Sequence, residues 1–187
     1  MKKSLVLLLL PIAVLLSACS DSNTQSDPST SESIASFNDA DIMFAQMMIP
    51  HHEQAIEMSD MALDPTTLAS EQVRDLALQI KSAQDPEIKQ MQRWLTGWGK
   101  PLTPKDGTDH SSMMEGMLSS QEMSKLSSMK SPLFDKAWIQ AMIAHHRGAV
   151  AMAEDVIADG SHPDVRKLAE TIISSQQAEI DTLEKLL

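Results

Sequence analysis

Met47-Met48-Ile49-Pro50-His51-His52 occurs twice in this 187-residue chain: Ala141-Met142-Ile143-Ala144-His145-His146 repeats it 94 positions later. Each copy sits in an apolar run with helical spacing. Each is followed by a second run whose apolar residues recur at threes and fours: Val73, Leu76, Ala77, Ile80, Ile88, Met91 and Leu95, then Val165, Leu168, Ile172, Ile180, Leu183 and Leu187. The second runs align at an offset of 92, which pairs Val73 with Val165, Ile80 with Ile172, Gln84 with Gln176 and Glu87 with Glu179. The chain therefore reads as a duplicated helical hairpin. Four helices of this kind predict an all-α, four-helix bundle. Strand signals are poor, since there is no Tyr and little period-two alternation.

Local punctuation bounds the helices. Phe37-Asn38-Asp39-Ala40-Asp41 is a helix start with Asn38 as its cap, the first helix runs to about Leu63, and Asp64-Pro65 stops it. Ser70 caps the next helix, which ends at Gly97 and Gly99. In the second half a helix over 134–158 stops at Asp159-Gly160, and Ser161 is expected to cap the last one. If the helices alternate up-down-up-down, the first and third run parallel, with their His-His steps at similar heights. Between the hairpins, Pro101, Pro104 and Gly107 mark a loop. Ser119 and Glu122 fit a capping box, predicting a short extra helix over 120–130 in the middle connection.

The N-terminus reads as an address. Lys2 and Lys3 precede an uncharged apolar run over 5–16, too short to span a bilayer comfortably. Leu16-Ser17-Ala18-Cys19 looks like a lipobox, with cleavage before Cys19 and lipid on its sulfur. Residues 1–18 are thus expected to be a lipoprotein signal peptide, 19–36 a flexible tether rich in Ser, Thr, Asp and Asn, and 37–187 the bundle domain. The expected location is exported and lipid-anchored, facing the periplasm. By resemblance to Gram-negative lipoproteins, Ser20 after the cysteine implies an outer-membrane destination in a Gram-negative host. Loss of Lys2 and Lys3 takes the net charge from −11 to −13, which argues against nucleic acid as a partner. Cys19 is the one cysteine, so the mature domain has no disulfide, thiolate site or cysteine nucleophile.

The remaining candidate ligands are imidazoles and thioethers. Residues four apart on a helix stack, so Met47 lies under His51, Met48 under His52 and Met142 under His146. Met58 follows His51 by seven positions, and Met152 follows His145 by seven. The middle connection adds His110, Met113, Met114 and Met117 in a polar, Gly- and Ser-containing context. Thioether is a soft, neutral ligand that copper(I) accepts and that zinc, iron and magnesium bind poorly. A metal site is therefore expected from His51, His52, His145 and His146 with these methionines, and copper, as Cu(I), is the expected ion. The competing reading keeps every Met as core filler and the His pairs as a buried polar network, in a structural or protein-interaction bundle with no physiological metal.

Enzymatic chemistry finds no support. No Glu-x-x-His motif for a di-iron centre occurs, nor His-Glu-x-x-His, a nucleophile elbow or a phosphate-binding glycine loop. The phrases Met48-Ile49-Pro50-His51-His52-Glu53-Gln54-Ala55-Ile56-Glu57-Met58 and Met142-Ile143-Ala144-His145-His146-Arg147-Gly148-Ala149-Val150-Ala151-Met152 resemble the bacterial family catalogued as domain of unknown function three hundred and five. The resemblance covers residues 37–187. It implies a ferritin-like four-helix fold and export. Some members, including a cyanobacterial periplasmic protein, are linked to copper binding and copper tolerance. Carried over residue by residue, it supports His51, His52, His145 and His146 with Met48 and Met142. The expected role is copper(I) sequestration or delivery, with a copper-handling protein as partner.

Overall fold

The computed structural model describes residues 36–104 and 114–187. Among these residues there are five α-helices: α1 (Asp39–Leu63), α2 (Glu71–Gly97), α3 (Ser120–Ser127), α4 (Leu133–Asp159) and α5 (Pro163–Glu184), with a 3-10 turn at Pro65–Thr67. No strand occurs among the described residues, and no helix there is long and apolar enough to cross a membrane. The signal peptide, Cys19 and nearly all of the tether lie outside the described residues, as do His110 and Met113.

The caps form largely where the sequence places them. Asn38 and Asp41 make a reciprocal capping box at α1, Ser70 caps α2, and Ser119 with Glu122 boxes the start of α3. One expectation fails. His162, not Ser161, caps α5, its Nδ1 accepting from Asp164 N at 3.2 Å. Ser161 is drawn away by Asp41, whose buried carboxylate accepts from Ser161 N at 3.1 Å and His162 N at 3.1 Å.

The two hairpins, α1 with α2 and α4 with α5, join mainly through α1 and α4. Twelve residues of α1 and eleven of α4 are buried, against eight in α2 and six in α5, so α1 and α4 form the inner pair. That pair is antiparallel, not parallel. The start of α1 meets the end of α4, where Asn38 Nδ2 donates to Asp159 O at 2.8 Å, and Trp138 near the start of α4 donates to Met58 O at 2.9 Å. The order is up-down-down-up, because the long connection over 98–132 returns the chain to the end where α2 began: Ser70 N donates to Asp135 at 3.2 Å. A single long crossover is the ferritin-like arrangement.

The repeats are thus related by a pseudo-twofold axis perpendicular to the bundle. Equivalent residues meet on that axis, as in an isologous interface. Every buried residue of α5 aligns, at an offset of 92, with a buried residue of α2. Two apolar clusters result. One gathers Ala55, Met58, Ile80, Trp138, Met142 and Leu183, and the other Phe44, Met48, Ile88, Met91, Ala153 and Ile172. Each of the four long helices crosses from one cluster to the other, and each carries polar residues at the crossing.

Candidate metal centre

The crossing is a polar layer in the middle of the core. Helices α1 and α4 contribute His51, His52, His145 and His146, all four with no exposed surface. Helices α2 and α5 contribute Gln84 and Gln176, both buried, and one turn further on Glu87 and Glu179. Adjacent helix residues diverge by about 100°, so the two histidines of each step do different things. His52 Nε2 donates to Glu87 Oε2 at 2.9 Å, and His146 Nε2 donates to Glu179 Oε2 at 2.7 Å, each within its own hairpin. His51 and His145 turn toward each other across the pseudo-twofold axis. Their ring centroids stand 3.7 Å apart with planes 37° from parallel.

The hydrogen-bond inventory of this layer is incomplete. Eight buried side-chain nitrogen and oxygen atoms have no partner within the described protein, and every one belongs to it: Nδ1 of all four histidines, Nε2 of His145, both amide atoms of Gln84 and Oε1 of Gln176. An unmet buried polar atom costs about 1–3 kcal/mol, and a domain of this size keeps a net stability of only about 5–15 kcal/mol. A layer this costly needs a ligand, ordered water, or both. The carboxylates on His52 and His146 act in the same sense. A carboxylate only accepts, so it holds each ring with Nε2 protonated and directs the lone pair of the neutral imidazole to Nδ1. Metal-binding histidines are commonly oriented this way.

Burial also sets protonation. Removal from water, aided by the neighbouring His52, lowers His51 to about 3. His145 is driven well below its ordinary value, first by burial and then by His51. Both rings are neutral at pH 7 and offer lone pairs without prior loss of a proton.

The methionines divide into two groups. Met48, Met58 and Met142 are fully buried in the apolar clusters. Met47, Met114 and Met152 line an open cleft of about 590 Å³ together with Met43, which sequence reasoning did not single out. Gly148 also lines that cleft, and a Cβ there would stand 3.3 Å from His51 Nε2. Met117 lines a second cleft, of about 740 Å³, with Met61 and Met123. Among the described residues no three His, Cys, Asp or Glu side chains are grouped to hold one ion. The neutral donors that the layer and the cleft bring near one another are imidazole and thioether. Glu87 and Glu179 were also missed as functional candidates. The repeat register pairs them, and that is the signal that could have found them.

The family description Domain of unknown function (DUF305) matches residues 41–187. The chain belongs to the DUF305 family. Solved DUF305 structures share its fold. A fragment from Deinococcus radiodurans is 33% identical with a TM-score of 0.71, covering 80% of this chain and 95% of that one. A protein from Streptomyces coelicolor, assigned as secreted, is 33% identical with a TM-score of 0.71, covering 79% and 91%. CopM in its Cu(I)-bound form is 33% identical with a TM-score of 0.64, covering 78% and 94%. CopM is also known in Cu(II)-bound, silver-bound and apo forms. No curated protein sequence matches this DUF305 chain.

Proposed function

We propose that this DUF305 protein is an exported, lipid-anchored copper-binding protein that sequesters or delivers Cu(I) through His and Met ligands. The observation that carries this reading is the set of four buried imidazoles with unpartnered Nδ1 atoms, two of them oriented by Glu87 and Glu179. A closed-shell ion that accepts few, soft, neutral ligands suits such a site. Four thioethers line the adjacent cleft. Copper and silver in the related CopM structures support the same ion class. Export is supported by the relative assigned as secreted. The lipobox at Cys19 motivates the anchor, and metabolic labelling with a radiolabelled fatty acid, lost in Cys19→Ala, tests it.

The binding test is anaerobic competition for Cu(I) against a chromogenic chelator, using the full chain in detergent. Stoichiometric binding that is lost when His51, His52, His145 and His146 are all replaced by Ala is the expected result. Equal binding by that variant, or none by the wild type, overturns the reading. One observation favours a second reading, a purely structural polar layer. His51 and His145 already contact each other ring to ring. Under that reading His51→Leu with His145→Leu raises thermal stability and leaves Cu(I) binding unchanged, since apolar replacement of a buried polar group is often stabilising.

A further inference from the structure

Residues 114–118 cross directly over the His51–His145 pair. Glu115 O stands 3.4 Å from His51 Nε2. Two glycines make this approach feasible. At Gly148 a Cβ would stand 1.8 Å from Glu115 O. At Gly116, which has φ +82°, a Cβ would stand 2.2 Å from Ala144 O and 2.8 Å from His145 Cα. One side chain pins the far end. Gln54 Nε2 donates to Leu118 O at 2.8 Å, and Leu118 N donates to Gln54 Oε1 at 2.7 Å.

Gln54 and Gly148 are equivalent positions in the two repeats, both 94 apart like the histidines. The pseudo-twofold symmetry is broken here in two complementary ways: one copy supplies an amide clamp, and the other removes a side chain. Open clefts of about 590 and 740 Å³ flank the crossing segment. Among the described residues its hydrogen bonds to the helices are the one from His51 to Glu115 O and the two between Gln54 and Leu118, so loss of the Gln54 pair leaves only the contact at the histidine itself. Both histidines have no exposed surface while it is in place.

We propose that residues 114–118 form a strap that governs access to the His51–His145 pair, and that Gln54 is the positioning residue that latches it. The inference deepens the copper reading by naming what controls the path to the site. Its test uses no metal, so the two can fail separately. The metal-free full chain in detergent is treated with diethyl pyrocarbonate, and carbethoxylation of His51, His145 and His162 is followed by peptide mass spectrometry. His162 lies at the α4–α5 junction, away from the strap, and serves as the internal reference.

Gln54→Leu removes two hydrogen bonds and is expected to raise the modification rate of His51 and His145 roughly tenfold or more, with His162 unchanged. Gln54→Glu keeps the acceptor for Leu118 N and loses the donor, so its rate falls between wild type and Gln54→Leu. Gly148→Ala displaces the strap from the opposite wall and raises the same two rates. If that variant does not fold, Gln54→Leu alone decides. Rates for Gln54→Leu equal to wild type, or rising by the same factor at His162, overturn the proposal. The first outcome means no latch, and the second means general loosening.

Discussion

At the residue scale, the main point is the division of labour between neighbours in each His-His step. One ring of each step is held by a carboxylate of its own hairpin, and the other meets its symmetry mate. Glu87→Gln with Glu179→Gln preserves the shape and removes the charge behind His52 and His146. Cu(I) affinity is expected to fall about 10–100-fold with helix content unchanged. Chelator competition and circular dichroism check both halves, and an unaltered affinity would remove the two carboxylates from any role at the site. The methionines can be sorted in the same way. Met47→Leu with Met152→Leu changes half-buried residues on a cleft wall, so a stability cost below about 1.5 kcal/mol is expected. A fall in Cu(I) affinity is expected alongside. Affinity equal to wild type would take both thioethers out of the ligand set.

At the scale of elements, α1 does more than carry ligands. Its first turn organises the junction between α4 and α5. Asp41 boxes the α1 cap and accepts from the backbone of Ser161 and His162. Close by, Phe37 stacks on Trp98 with centroids 4.5 Å apart, and His162 packs against Trp94 and Trp98. One carboxylate therefore ties both hairpins together at that end of the bundle. Asp41→Ala loses the reciprocal half of the capping box, leaving Asn38 N without its acceptor, and strands the N–H groups of Ser161 and His162, for an expected loss of roughly 3 kcal/mol. Chemical denaturation measures it. A loss below about 1 kcal/mol, the value of an ordinary cap, would show that the junction holds without Asp41.

At the scale of the whole molecule, the polar layer makes stability depend on pH. The unfolded chain protonates His51 and His145 below about 6.5, whereas the folded protein keeps them neutral, His51 down to about 3. Below about 6.5 the unfolded state binds more protons, so unfolding becomes easier as pH falls toward 3. The expected slope is about 1.4 kcal/mol per pH unit for each such histidine. His51→Asn with His145→Asn flattens this part of the profile. Urea titrations of the metal-free protein between pH 7 and 4 test it, and a wild-type curve as flat as the variant's would mean that the rings admit water in the native state.

The sequence by itself determined the duplication, the four long helices, most of their caps and the place of one His-His step on each repeat's first helix. These follow from local rules: helical periodicity, capping chemistry and repeated residues. The direction of the second hairpin was beyond those rules, since a long connection can return the chain to either end. Only the tertiary structure made α1 and α4 antiparallel and so brought His51 onto His145. The roles of Glu87 and Glu179 were likewise decided by packing. A glutamate on a helix reads as surface until another helix brings a histidine to it. The difference between Gln54 and Gly148 has no meaning along the chain. It acquires one only where residues 114–118 cross both, because a close backbone approach is a property of two segments and of neither alone.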